Sequence, residues 1–375
     1  LPHLMKKAAQ KNNMAKEIVI LTATSGDTGK SAMEGFADVK NTRIIVFYPE
    51  SGVSPIQKKQ MITQKGENTF VTAIKGNFDD AQRKVKELFN DAKLRSKMAE
   101  NNKVFSSANS INIGRLVPQI VYYVYAYTRL VKSGQIESGE EVNFSVPTGN
   151  FGDILAGFYA KKIGLPIRRL ICASNQNNVL TEFFQTGNYD RNRPFYVTSS
   201  PSMDILVSSN LERLLFYLTK EDTVKTKQLM DDLNKRGNYK ITAEMKSALS
   251  DFFADFASEK ETDQTIREVY EKGNYVIDPH TAVATCVANK YEEKMLPTVI
   301  LSTASPYKFP QAVLQAITKE GEKAEGIEAI NKLETFAEIP VPAAIEELEN
   351  AEIKHNDKIS AEEMTHYVEK VLNLK

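Results

Sequence analysis

Residues 22–31 read TATSGDTGKS, a run of hydroxyls and glycines able to hold a small anion. Before it, Glu17, Ile18, Val19, Ile20 and Leu21 form an apolar run of strand type; after it, Ala32, Met33, Gly35 and Phe36 read as a helix. Strand, glycine loop and helix suit a nucleotide phosphate loop, G-x-x-x-x-G-K-[ST], and Gly29, Lys30 and Ser31 match its end. Thr24 stands where the first glycine belongs, crowding a turn whose amides must point inward. Nor does an apolar strand end in the magnesium-holding aspartate: RIIVFY runs into Pro49, VNFSV into Pro147, RLICAS into Asn175 and TVILS into Thr303. ATP or GTP binding is disfavoured. Two readings remain open at this loop. Thr24, Ser25 and Thr28, with the amides that follow Gly26 and Asp27, make a pocket suited to a carboxylate; or Asp27 or Thr28 merely caps the helix. Lys30 reads as a surface charge.

Residues 147–153, PTGNFGD, repeat this logic after the strand VNFSV. Gly149 and Gly152 permit close backbone approach, and the amides of a helix start are aimed at whatever sits there. Two such cradles suit a ligand with two anionic groups. A polar loop, SSANSIN at 106–112, supplies Asn109, Ser110 and Asn112, and Arg115 follows near the start of a helix marked by Ile113, Leu116, Val117, Ile120, Val121 and Val124.

The elements that must position these groups alternate. Strands 17–22, 43–48 and 69–74 interleave with helices 28–38, 54–65 and 77–90, which predicts a parallel sheet with covering helices. Gly134 and Gly139 lie in a polar stretch, 133–139, that reads as the domain boundary. Beyond it come strand 142–146, helix 154–162, strand 169–174 and helix 178–185. Residues 203–292 read as almost wholly helical, with 258–264 as a loop between helices, before strand 298–302. The tail beyond 330 closes in a helix from 360. The expected organisation is a smaller α/β domain at 1–134, a larger one at 135–330 with a helical insertion, and a C-terminal extension at 331–375.

With 48 basic and 48 acidic residues in 375, the chain has no net field to hold nucleic acid or anionic lipid. Apolar stretches are too short to span a bilayer, and a cytoplasmic location is expected. Cys172 and Cys286 form no C-x-x-C pair and His3, His280, His355 and His366 are scattered, so no metal site is expected and the thiols read as buried and free. Leu1, Leu4, Met5, Ala8 and Ala9 fall at helical spacing, as though the sequence opens at the edge of an amphipathic helix.

TATSGDTG, SSANSINIGRL, PTGNFGDILAGFYAKKIGLP and LSTASPYKF, in this order and spacing over essentially the whole chain, resemble threonine synthase. The resemblance implies the tryptophan-synthase-like fold type II, two three-layer αβα domains, with pyridoxal 5'-phosphate as cofactor. It implies conversion of O-phospho-L-homoserine and water to L-threonine and phosphate, by a carbon–oxygen lyase that is a monomer or homodimer. Thr24, Ser25, Gly26, Asp27 and Thr28 would hold the substrate carboxylate; Gly149, Asn150, Phe151, Gly152 and Asp153 the cofactor phosphate; and Thr303 would face the pyridine nitrogen. Arg115 and Lys308 would take the substrate phosphate, with Asn109, Ser110 and Asn112 as neutral donors. Asp278-Pro279-His280 also resembles a family segment, with His280 expected as a structural cap. Many members carry histidine where Ser305 stands. The family's Schiff-base lysine lies in a Phe-Lys-Asp segment just ahead of the helix opening at Leu1. The expectation is therefore a chain truncated before that catalytic lysine, inactive by itself. The alternatives are another fold-type-II β-eliminase or dehydratase, or a non-catalytic ligand-binding homologue.

Overall fold

A computed structural model describes residues 1–24, 26–51, 53–293, 295–318, 324–337 and 339–374, with all of their side chains except that of Asp79. The chain divides into two compact units, Leu1–Arg115 with Val341–Lys375, and Leu116–Pro340.

The first unit runs α1 (Pro2–Lys11), β1 (Glu17–Ala23), α2 (Asp27–Phe36), β2 (Thr42–Pro49), α3 (Pro55–Ile62), β3 (Thr69–Lys75), α4 (Phe78–Asn90), α5 (Ala92–Glu100) and β4 (Lys103–Ser107), with a short α6 (Ile113–Leu116) at its end. Local chemistry starts these helices. Ser54 and Gln57 close a capping box on α3 with Pro55 inside it, Asn77 and Asp80 do the same on α4, and Asp91 caps α5.

The second unit continues α7 (Ile120–Lys132), β5 (Val142–Pro147), α8 (Gly152–Lys162), β6 (Ile167–Ser174), α9 (Val179–Thr186), β7 (Asn188–Asp190), α10 (Leu211–Leu218), α11 (Thr223–Arg236), β8 (Asn238–Lys240) and α12 (Ala243–Ser247). It is completed by β9 (Phe252–Phe256), α13 (Glu259–Gly273), α14 (Pro279–Lys290), β10 (Thr298–Ile300), α15 (Pro310–Ile317) and α16 (Gly326–Ala337). The chain then returns to the first unit with α17 (Ala343–Glu346), β11 (Asp357–Ser360) and α18 (Met364–Leu372).

Both main sheets are parallel, ordered β11-β3-β2-β1-β4 and β10-β5-β6-β9. Side chains alternate across a strand, so each sheet has two faces to bury. In the first unit Val19, Leu21 and Ala23 pack with α4, α5 and α18, while Ile18 and Ile20 pack with Ala32, Met33 and Phe36 of α2. In the second, Val142, Phe144 and Val146 join the cluster of α7 to α11, while Ile171 and Ala173 meet Val283, Ala284 and Val287 of α14. Each unit is thus a three-layer αβα body.

The order in each sheet reverses at one strand. In the first, β2 and β3 lie to one side of β1 and β4 to the other; in the second, β6 and β9 lie to one side of β5 and β10 to the other. Such reversals open a crevice at the carboxyl ends of the strands, where α/β proteins bind ligands. The two glycine loops follow β1 and β5.

Several expected boundaries move. The units part at Arg115/Leu116 rather than at 134/135, because Tyr123 and Tyr127 of α7 are buried in the core of the second unit. The tail is no separate extension: β11 pairs with β3, and Met364, Tyr367, Val368 and Leu372 of α18 are core residues. Within 203–292 lie two strands, and β9 forms the edge of the second sheet. Residues 258–264 are not a loop; Ser258 and Glu261 form a capping box that starts α13.

Candidate active site

The loop after β1 is built around Thr24. Its Oγ1 accepts the amides of Gly26 at 2.9 Å and Gly29 at 2.8 Å, while its own amide donates to Phe47 O. Gly29 is required by that packing, since a Cβ there would lie 2.5 Å from Thr24 Cγ2. The N-cap of α2 is Gly26, at φ 141°, which has no side chain to cap with, and it is the Thr24 hydroxyl that takes the first-turn amide of Gly29. Capping by Asp27 or Thr28 is therefore not what the loop is for. The first turn, with Asp27 and Thr28 half-buried, presents helix-start amides and the positive end of the dipole. Ser25 lies outside the described residues. Lys30 turns away from the loop, its Nζ held by Glu34 at 2.8 Å and Gln64 at 2.5 Å.

Register places the loop after β4 beside this one, because Leu21 pairs with Ser107. Asn109 is buried and clamps the end of β1 at two points: its Nδ2 donates to Ala23 O at 2.7 Å, and its Oδ1 accepts Ala23 N at 3.0 Å. Asn112 works within its own turn, donating Nδ2 to Ser107 O and accepting the Gly114 amide. Ser110 sits in the turn before α6, and Arg115 in its last part, half-buried.

In the second unit the turn 148–151 is braced from outside. Ser208 Oγ donates to Gly149 O at 2.8 Å, and Asn210 donates to Asn150 O through its amide at 3.3 Å and Nδ2 at 2.8 Å. The carbonyl and amide of a trans peptide point in opposite directions. Fixing these two carbonyls therefore turns the amides of Asn150 and Phe151 to the other side. Asn150 Oδ1 anchors Ser209 through its amide at 2.9 Å and hydroxyl at 2.6 Å. Phe151 is the N-cap of α8 in the left-handed region, φ 60°, and no side chain caps the helix. Holding a non-glycine residue there costs energy, which the burial of its ring among Phe184 and Phe252 offsets. Gly149 admits the backbone of 202–203, since a Cβ would lie 2.9 Å from Met203 Cα and 3.0 Å from Ser202 O.

Asp153 lies in the first turn of α8, and Tyr123 Oη donates to its backbone carbonyl at 2.8 Å and its Oδ1 at 3.1 Å. Burial raises the Asp153 carboxyl to about 6, the Tyr123 hydrogen bond acting in the opposite direction. The parallel pairing of β10 with β5 brings the chain that leads to Thr303 out beside this loop; Thr303 is exposed and Lys308 half-buried in the turn Pro306–Lys308. The cap of α14 is Asp278, not His280: its carboxylate accepts the amides of His280 and Thr281. The buried His280 ring contacts Asp278 Oδ1 through Nδ1 at 2.9 Å and accepts the Ser202 amide at Nε2, 3.3 Å. That pairing fixes the proton on Nδ1 and ties α14 to the segment that backs Gly149.

Ser208, Asn210, Asp278 and His280 thus support the loop. The contacts of Ser208, Asn210 and His280 that do so carry no spacing signal, because they join segments about 60 residues apart or more. The donor set at 149–153, backbone amides at an uncapped helix start with no nearby cation in the turn, fits a phosphate held by peptide dipoles. Cys172, buried, has its thiol pushed up to about 12 and has no part in this chemistry.

Residues 1–303 match the family described as "Pyridoxal-phosphate dependent enzyme", and residues 281–365 match "Threonine synthase, C-terminal". Threonine synthase-like 1 from Homo sapiens is 44% identical over 307 residues, 80% of this chain and 41% of that protein. Threonine synthase from Saccharomyces cerevisiae is 38% identical over 321 residues, 81% of this chain and 61% of the yeast protein. The chain thus spans less than two thirds of these curated relatives. The crystal structure of PLP-bound threonine synthase from Brucella melitensis superposes with a TM-score of 0.82 at 35% identity, covering 99% of this chain and 74% of that one. The chain belongs to the threonine synthase family of pyridoxal-phosphate-dependent enzymes of fold type II.

Proposed function

We propose that the protein carrying this chain is a threonine synthase, converting O-phospho-L-homoserine and water to L-threonine and inorganic phosphate. One observation carries the reading. Each unit places a helix start after the strand at which its sheet order reverses, and the loops there have the residues the family pattern requires, TATSGDTG and PTGNFGD.

In this reading the amides of Gly149, Asn150, Phe151, Gly152 and Asp153 hold the cofactor phosphate, and the Thr303 hydroxyl faces the ring nitrogen. When bound, the cofactor supplies the electron sink that lets protons leave the substrate's α- and β-carbons. Thr24, Ser25, Gly26, Asp27 and Thr28 orient the substrate by its carboxylate. Arg115 and Lys308 take the substrate phosphate, and Ser110 is a neutral donor. Asn109 and Asn112 act chiefly by holding the loops, since their side-chain amides already bond backbone groups.

Product analysis tests the proposal. The protein supplied with pyridoxal phosphate and O-phospho-L-homoserine is expected to form threonine and phosphate in equal amounts. Phosphate with 2-oxobutanoate in place of threonine would identify a related eliminase instead.

A further inference from the structure

We propose that Gln57 is a substrate-binding residue, donating a hydrogen bond from Nε2 to the substrate's α-carboxylate at the start of α2. This rests on the reading of residues 24–28 as the carboxylate loop.

Gln57 is 1% exposed. Its Oε1 accepts the Ser54 amide at 3.4 Å as half of the capping box on α3, which settles which end of the side-chain amide is oxygen. The other end, Nε2, is buried and has no hydrogen-bond partner among the described residues. A buried donor left unmade is costly, and a side chain retained in that state calls for a partner the protein alone does not provide.

The side chain's position says where that partner would be. A Cβ built on Gly26 would lie 2.5 Å from Gln57 Cδ, 2.6 Å from Nε2 and 2.7 Å from Oε1. Three near-equal distances mean that the amide plane lies face-on against the glycine that caps α2. Gly26 is therefore fixed twice, by φ 141° and by the glutamine across it. Thr24 already takes the amides of Gly26 and Gly29, and the Thr28 amide lies between them in the same helix start. A carboxylate seated at that helix start would have one oxygen on the helix amides and bring the other to the Gln57 donor. An uncharged donor suits this place, since it recognises the carboxylate without opposing the release of a product with the same group.

The test separates the carboxylate from the rest of the ligand. Binding of 2-amino-5-phosphonopentanoate, an unreactive analogue of phosphohomoserine, is compared by calorimetry with that of 4-aminobutylphosphonate, which lacks only the carboxylate, on protein loaded with pyridoxal phosphate. Gln57→Glu keeps the oxygen that accepts the Ser54 amide and replaces the donor by a negative oxygen. The wild type is expected to prefer the carboxylate-bearing ligand. Gln57→Glu is expected to cut that preference about tenfold or more, the scale of a hydrogen bond to a charged group, with the affinity for 4-aminobutylphosphonate nearly unchanged. If the new charge impairs folding, Gln57→Met reads the same ratio without it. A preference unchanged in a folded variant, or equal loss for both ligands, would overturn the role of Gln57 and leave the carboxylate loop standing. No preference in the wild type would overturn the loop assignment and the proposal with it.

Discussion

Asp153 shows how a residue chosen for one task carries another. It lies in the turn proposed to hold the cofactor phosphate, yet its carboxyl is enclosed against Tyr123 and raised by burial to about 6. An unfolded aspartate titrates near 4, so between those values the native state holds a proton that the unfolded chain has lost. Stability therefore rises as pH falls from about 6 towards 4, and declines as pH climbs through 6. Asp153→Asn keeps an oxygen for the Tyr123 hydroxyl and removes the charge. It is expected to raise the melting temperature at pH 8, a gain of no more than about 3 kcal/mol in stability that shrinks as pH falls through about 6 towards 4. A gap that does not change with pH would show that the carboxyl is not desolvated as described. Residue types alone identified the two loops here, but not the division of labour within them. Asn109 and Asn112 read as ligand donors because nothing local reveals that Ala23, 86 positions earlier, takes one of them.

The turn between β5 and α8 depends on a glycine for a reason the sequence could state only as a need for room. Gly149 has the backbone of Ser202 and Met203 against it, and backbone cannot swing aside as a side-chain end can. Gly149→Ala is expected to destabilise the protein by about 1–3 kcal/mol, the usual cost of overpacking. It should also weaken pyridoxal phosphate binding, measured by fluorescence titration; unaltered stability and affinity would place the cofactor phosphate elsewhere. The strands and helices on either side of both loops were legible because their apolar runs are long and regularly spaced. β9 was not, since Phe252 and Phe253 adjoin charges and stand among helices. β11 was not either: DKIS is a short, polar edge strand whose pairing with β3 includes a bond from Thr72 Oγ1 to Asp357 O. The start of α13 could have been read, because Ser258 and Glu261 have the spacing of a capping box.

At the scale of the whole molecule, two parallel sheets each present one loop at the strand where the order reverses, and those loops are the two that suit anions. That division of the chain into two αβα units was foreseen, though not its boundary or the return of the tail. The apolar stripe expected on the stretch leading into α7 is not its core face: Ile113, Val117, Val121 and Val124 are exposed, and Tyr123 and Tyr127 are the residues of α7 buried in the second unit. The proposed function requires that the carbon–oxygen bond of a phosphate ester breaks, not the phosphorus–oxygen bond. Turnover of O-phospho-L-homoserine in water enriched in oxygen-18 distinguishes the two directly. If the protein is a threonine synthase, mass spectrometry will find one heavy oxygen in the threonine hydroxyl and none in the released phosphate. Heavy oxygen in the phosphate, with homoserine as the other product, would contradict it.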